Sequence, residues 1–180
     1  PTRSLLGTGL LDSNPRLRRA DDPFSGTPLV LVPALAPDVA IVHVQRADRR
    51  GDAQVWGLLG VQKEAAFAAA RVIVVAEEIV EESVLRADPN RTLLPGLVVD
   101  AVVHEPFGCH PSYAQGYYDR DNAFYVGWRE ISEDRGRLEA YLDEWVHGVP
   151  DRAAYAAKLG AQVGELRARP RVAGAVDYGF

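Results

Sequence analysis

The sequence predicts an α/β domain built on an open, mostly parallel sheet flanked by helices, with two helices at its C-terminal end. Three observations carry this expectation. Residues 39–44 (VAIVHV) and 72–76 (VIVVA) are short and almost wholly apolar, the composition of strands covered on both faces. Between them an alanine-rich stretch, residues 62–71, has the small side chains of a helix lying close on a sheet. Beyond residue 130 the apolar period lengthens to that of helices. Strands alternating with helices are the mark of an α/β sheet.

Taken in order, residues 1–28 read as a surface loop, broken by Gly7, Gly9 and Gly26 and by Pro15, Pro23 and Pro28. Gly7-Thr8-Gly9 resembles a phosphate-cradling turn, but it follows no strand and lacks a further glycine at the required offset. Residues 29–35 (LVLVPAL) read as a short strand that Pro33 ends or confines to an edge. The strand at 39–44 leaves through a polar turn, residues 45–52, and residues 54–56 return as a short strand. The strand at 72–76 ends on the paired carboxylates Glu77 and Glu78. Residues 81–86 form a short helix that Asp88-Pro89-Asn90 stops.

Residues 98–106 (VVDAVVHEP) read as a further buried strand. It breaks at Pro106 and Gly108 into a loop, reaching residue 125, that is crowded with aromatic and polar side chains. Open α/β sheets place ligands beyond the carboxyl ends of their strands, so this loop is the expected ligand edge. A helix over 132–147 follows, with Ser132 as N-cap, Glu133 and Asp134 at its positive end, and a stripe of Leu138, Tyr141, Leu142, Trp145 and Val146. Gly148 and Pro150 end it. The last helix starts at Asp151 and carries Tyr155, Leu159, Val163 and Leu166 on one face, with Gly160 and Gly164 spaced for close contact or simply weakening it. The tail, residues 173–180, reads as a terminal strand or a docking segment. With no repeat and no low-complexity linker, residues 1–180 read as a single domain.

A formal charge of −5 without any basic cluster argues against a nucleic-acid or anionic-membrane surface. The apolar runs are too short to span a bilayer, and the start has no secretory core. A single cysteine excludes an intrachain disulfide and fits a reducing compartment, so the expected location is the cytoplasm. The chain has no methionine and opens on Pro1, which reads either as loss of an initiator or as the later part of a longer polypeptide.

Among candidate chemical groups, Cys109 and His110 are adjacent, and neighbours in an extended loop point apart; a packed thiol is the simpler reading than a nucleophile. His110 suits a ligand contact at the rim of the loop. Glu77 and Glu78 suit acid–base or nucleophilic work if burial shifts one of them, and equally suit the start of the following turn. Arg46, Arg49 and Arg50 suit either an anionic ligand or a solvated turn. No histidines have metal-ligand spacing, so no metal is expected.

Three blocks resemble a known family. Residues 32–57 (VPALAPDVAIVHVQRADRRGDAQVWG), 71–80 (RVIVVAEEIV) and 95–125 (PGLVVDAVVHEPFGCHPSYAQGYYDRDNAFY), in that order, are similar to the A (alpha) subunit of family I coenzyme A-transferases, of the glutaconate CoA-transferase type. The resemblance covers this chain but not the first portion of the family subunit, which implies the later part of such a subunit. It implies an active site between A and B subunits, with the partners being the B (beta) subunit, together with the rest of the A (alpha) subunit. It also implies CoA transfer between an acyl-CoA and a carboxylic acid, with coenzyme A as substrate and no permanently bound cofactor.

In that chemistry a glutamate of the other subunit becomes a glutamyl-CoA thioester, so no nucleophile is carried over to this chain. This chain is expected to supply a facing wall of Gln45, Arg46, Glu77, Glu78, Gly108, His110, Tyr117 and Tyr118. Two alternatives stand beside this: a CoA-thioester hydrolase or ring-opening enzyme on the same fold, and a non-catalytic structural subunit.

Overall fold

Asp22 turns the chain back on itself near the start. Its Oδ1 accepts from the Phe24 N–H at 2.8 Å, and Gly26 takes a φ of 69° that suits glycine. The computed structural model describes residues 1–167, and the chain divides into two compact units, residues 1–36 and 37–180. The first unit holds a short helix α1 (Leu10–Ser13) and strands β1 (Arg18–Asp21) and β2 (Pro28–Leu31), which pair antiparallel with Arg18 opposite Leu31. The segment expected to be a loop therefore contains a helix and a strand. The strand expected at 29–35 pairs within this small sheet.

The second unit is a five-stranded sheet in the order β6-β4-β3-β5-β7. Its centre is β3 (Val39–Ala47), which returns as the two-residue β4 (Ala53–Gln54). A helix α2 (Gln62–Ala68) then leads to β5 (Arg71–Ile79), parallel to β3 in a register that sets Arg46 against Glu78. Next come α3 (Glu82–Arg86) and β6 (Thr92–Leu94), antiparallel to β4, and then β7 (Ala101–His104), parallel to β5. Gly51 closes the β3–β4 turn with a φ of 98°, where a Cβ would also stand 2.9 Å from the Val99 Cβ. The mostly parallel, helix-flanked sheet is the predicted fold. β3 and β5 each run three residues further than their apolar runs, so Gln45, Arg46, Glu77 and Glu78 sit inside the strands.

Strand alternation gives the sheet two unlike faces. Ala40, Val42 and Val44 of β3 and Val72, Val74 and Ala76 of β5 are buried with Ala66 of α2 and Leu94 of β6, and this is the main core. On the other face Ile41 is 71% exposed, and Val39 and Val103 are also open. Toward the carboxyl ends of β3 and β5 that second face closes again, over Gln45 and Glu77, which are both buried.

The helices that follow depart from the expected boundaries. α4 (Asn122–Ser132) occupies what reads as loop, with the Asp121 carboxylate accepting from the Phe124 N–H as its cap. Ser132 is therefore the last residue of α4 and not a cap. α5 (Arg135–Leu142) is capped by Asp134 and runs on as a π-helical turn over Asp143–His147. Asp151 caps α6 (Arg152–Leu159) as predicted, and Gly160 at φ 58° breaks that helix from α7 (Ala161–Leu166). The tail at residues 173–180 lies outside the described residues.

Candidate functional site

The carboxyl ends of β3 and β5 and the loop between β7 and α4 assemble one polar cluster. Glu77 is its buried centre. Its Oε2 accepts from the Phe107 N–H at 2.7 Å and its Oε1 from the Tyr118 hydroxyl at 2.5 Å. The same hydroxyl accepts from the Cys109 N–H at 2.9 Å, so one phenol ties the loop to the strand. Phe107 is held at a φ of 64°, a conformation that costs a non-glycine residue on the order of 1–3 kcal/mol and that these contacts maintain.

Parallel strands in this register carry His43 and Glu77 on one face. The His43 Nε2 lies 2.9 Å from Glu77 Oε1, close enough for an ion pair, though off the line of a straight hydrogen bond. Burial disfavours the imidazolium, yet the Cys109 and Glu77 side chains outweigh it and raise the His43 pKa to about 9. Burial likewise pushes Glu77 upward, but His43, Tyr118 and the Phe107 N–H together hold it below its usual value. Burial and the bond to Glu77 drive the Tyr118 phenol far above its ordinary range. Gly108 is pressed into this group: a Cβ there would meet Glu105 O at 2.8 Å and His43 Nε2 at 3.2 Å.

Glu78, one residue on, faces the other way and is partly exposed. Its Oε2 accepts from Arg46 Nε at 2.9 Å and from the Tyr117 hydroxyl at 2.8 Å. The Tyr117 bond, opposed in part by burial and reinforced by Arg46, lowers the Glu78 pKa. Burial and Glu78 push the Tyr117 phenol up to about 12. Trp56 lies under this group, with the Arg46 and Arg91 guanidinium carbons 5.6 Å and 5.2 Å from its ring centre. Gln45 is buried and fixes the Trp56 backbone, donating from Nε2 to the carbonyl at 2.8 Å. A cavity of about 170 Å³ opens beside these residues, lined among others by His43, Gln45, Trp56, Cys109, Tyr113 and Gln115.

His110 lies behind the cluster. Its side chain is buried, and its Nε2 and Nδ1 meet Asp121 Oδ2 at 3.2 Å and the Tyr155 hydroxyl at 2.8 Å. Burial is the chief reason its pKa falls. A neutral ring then donates from Nε2 to the carboxylate, which can only accept, and accepts at Nδ1 from Tyr155. Arg152, at the start of α6, donates to the carbonyls of Phe107 and His110, both at 2.9 Å.

Of the residues singled out in the sequence, Gln45, Arg46, Glu77, Glu78, Gly108, Tyr117 and Tyr118 thus meet at one edge, while His110 anchors the loop from beneath. Sequence reasoning passed over His43, Trp56 and Arg91. The alternation of β3 puts His43 on the face of Gln45, a signal that was available; nothing local marks Arg91. Among the described residues no group of His, Cys, Asp and Glu is arranged to hold a metal, and no helix is long and apolar enough to cross a membrane.

Residues 3–105 match the coenzyme A transferase family. The alpha chain (A) of the 3-oxoadipate CoA-transferase of Pseudomonas knackmussii is 46% identical over 157 residues, which span 87% of this chain and 55% of that protein. The crystal structure of glutaconate coenzyme A-transferase from Acidaminococcus fermentans superimposes with a TM-score of 0.81 at 36% identity, over 90% of this chain and 52% of that one. The cholesterol ring-cleaving hydrolase IpdA subunit of Rhodococcus jostii is 30% identical over 137 residues, 74% of this chain and 46% of the relative. The chain spans about half the length of these relatives. With its fold and its sequence both matched on the alpha side of these transferases, this chain belongs to the coenzyme A transferase family.

Proposed function

We propose that this chain forms the non-nucleophilic wall of a CoA-transferase active site whose nucleophile is a glutamate of a B-type partner. The observation that carries this reading is the state of Glu77 and Glu78. Glu77 accepts hydrogen bonds from the Phe107 N–H and the Tyr118 hydroxyl, Glu78 accepts them from Arg46 and the Tyr117 hydroxyl, and both are held below their usual pKa. A carboxylate stabilised in this way is a weak nucleophile, because attack would break those bonds. Their role is to position the loop and the basic groups.

In the proposed reaction the partner's glutamate attacks the acyl-CoA carbonyl, and the CoA thiolate leaves to give a mixed anhydride. The thiolate then attacks the glutamyl carbonyl, releasing the first acid and leaving glutamyl-CoA. The acceptor acid runs the same steps in reverse. Each attack places negative charge on a carbonyl oxygen, which fixed donors stabilise. Protonated His43, at the edge of the 170 Å³ cavity, and the partly open Arg46 are the cations this wall offers. Gln45, Gly108, Tyr117 and Tyr118 complete the wall, and His110 holds the loop that presents it. Coenzyme A enters as substrate, and the partners are the B (beta) subunit, plus the further chain length that alpha-type relatives possess.

The test is to incubate the assembled complex with an acyl-CoA, treat it with hydroxylamine, and measure the intact mass of each chain. We expect an acyl-CoA-dependent adduct on the partner and none on this chain; an adduct on this chain overturns the reading. The similarity to a ring-cleaving hydrolase supports a second reading, hydrolytic ring opening, for which no acceptor acid is needed and no adduct accumulates on either chain.

A further inference from the structure

Arg152 is a charged side chain that the wall itself does not use. It stands at the first position of α6, where the positive end of the helix dipole disfavours a cation. What it meets there is the main chain of the loop beyond β7. Its Nη2 donates to the carbonyls of Phe107 and His110, both at 2.9 Å, so one nitrogen joins the two ends of that turn. The guanidinium carbon also lies 4.1 Å from the ring centre of Tyr155, whose hydroxyl meets His110 Nδ1 at 2.8 Å. Arg152 and Tyr155, one turn apart on α6, thus hold the loop by its carbonyls and by its buried ring.

A short series of contacts leads from that turn to the cavity. Phe107 keeps its φ of 64°, a conformation that only its surroundings maintain. In that conformation its N–H donates to Glu77 Oε2 at 2.7 Å, and Glu77 Oε1 lies 2.9 Å from His43 Nε2. His43 in turn lines the cavity of about 170 Å³. A peptide that turns away at Phe107 takes a donor from one carboxylate oxygen. The carboxylate is then free to rotate off the imidazole.

We propose that Arg152 is a positioning residue for His43: by gripping the Phe107 and His110 carbonyls it fixes the Phe107 N–H on Glu77, and Glu77 fixes the imidazole beside the cavity. This rests on the transferase reading above only for the use made of His43, as a donor to the oxyanion of the reacting thioester. Arg152 itself touches no substrate. The titratable groups that act on His43 are Glu77 and Cys109, and Arg152 is not among them. Loss of a nearby cation raises the pKa of a histidine, whereas a loosened Glu77 lowers it, here from about 9 toward 6.5. The direction of the change therefore separates positioning from charge.

The test follows the His43 ring by NMR in the assembled complex, with the histidines of this chain isotope-labelled and the signal assigned by His43→Gln. In the parent the ring should titrate near pH 9. In Arg152→Gln the midpoint should fall by about one pH unit or more. In Arg152→Lys, which keeps the charge and a strong donor but not the fork, it should lie between the two. The alkaline limb of kcat for CoA transfer should move with the His43 midpoint, while KM stays level. An unchanged or raised midpoint in a folded Arg152→Gln complex overturns the proposal. Should Arg152→Gln fail to assemble, Arg152→Lys decides: a midpoint below the parent's supports the positioning role, and one that coincides with the parent's overturns it. If the midpoint falls but the kcat limb does not follow, or no CoA is transferred at all, Arg152 still positions His43, and it is the transferase role given to His43 that fails.

Discussion

At Gly108 the chain has no room for a side chain. An added methyl would press on the Glu105 carbonyl and the His43 ring at once, so Gly108→Ala should destabilise the protein by roughly 1–3 kcal/mol in chemical denaturation. Tyr118→Phe removes the hydroxyl shared by Glu77 and the Cys109 N–H and leaves a buried carboxylate short of a donor, a loss of about 1–3 kcal/mol by the same measurement.

The His43–Glu77 pair sets a pH window. His43 has its pKa raised from 6.5 to about 9, so its contribution to stability is complete below pH 6.5 and is lost as the pH rises through about 9. Glu77 is depressed from 4.5, so its contribution is present above pH 4.5 and is lost as the pH falls through its lower folded value. Unfolding free energy should therefore decline between pH 6.5 and 9, by on the order of 2 kcal/mol, and His43→Gln should flatten that limb. Parallel curves for the two proteins would contradict the pairing.

At the scale of elements, Asp121 does more than cap α4. Its Oδ1 accepts from the Phe124 N–H at 2.9 Å, while its Oδ2 accepts from Gln162 at 2.6 Å and lies 3.2 Å from His110 Nε2. Asp121→Ala should cost about 2–4 kcal/mol in urea unfolding, the loss of a cap together with the partner of buried His110 and of half-buried Gln162. Asp134→Ala removes only an exposed cap, the 2.8 Å bond from the Arg137 N–H, and should cost about 1 kcal/mol. Equal costs would mean that the His110 network contributes nothing.

The difference between the two caps also marks where the sequence was readable. Asp151, followed by a regular apolar face, announced α6 correctly because the signal is local. α4 did not announce itself: NAFYVGWREIS is aromatic-rich and holds a glycine, and tertiary ring packing holds it, Phe124 and Trp128 each against Tyr141. The strand ends were misread for a related reason. Gln45, Arg46, Glu77 and Glu78 look like an exit to solvent, yet each finds a partner across the sheet or in the loop. The meeting of the loop with the strand-end acids was legible, because both follow the carboxyl ends of the parallel strands. The burial of His110 and the placing of Trp56 depend on contacts between distant segments, which no spacing reveals, whereas the face that His43 takes follows from the alternation of β3.

Over the whole molecule, the sheet has one covered face and one that is open along Val39, Ile41 and Val103. Apolar strands in parallel sheets are ordinarily covered on both sides, and the relatives possess about as much chain again. The isolated 180-residue chain should therefore self-associate, and Ile41→Glu should shift it toward monomer in sedimentation velocity while leaving its melting temperature nearly unchanged. An isolated chain that is monomeric at high concentration would contradict this.

The central claim is that this chain builds a wall around hydrogen-bonded carboxylates and leaves the covalent step to its partner. The most direct measurement is the hydroxylamine-trapped adduct in an assembled complex carrying Glu77→Gln and Glu78→Gln together. The account predicts that the adduct still forms on the partner chain, with turnover slowed because the loop and Arg46 lose their anchors. Loss of the adduct in a complex that remains assembled would place the covalent chemistry on this chain and contradict the account.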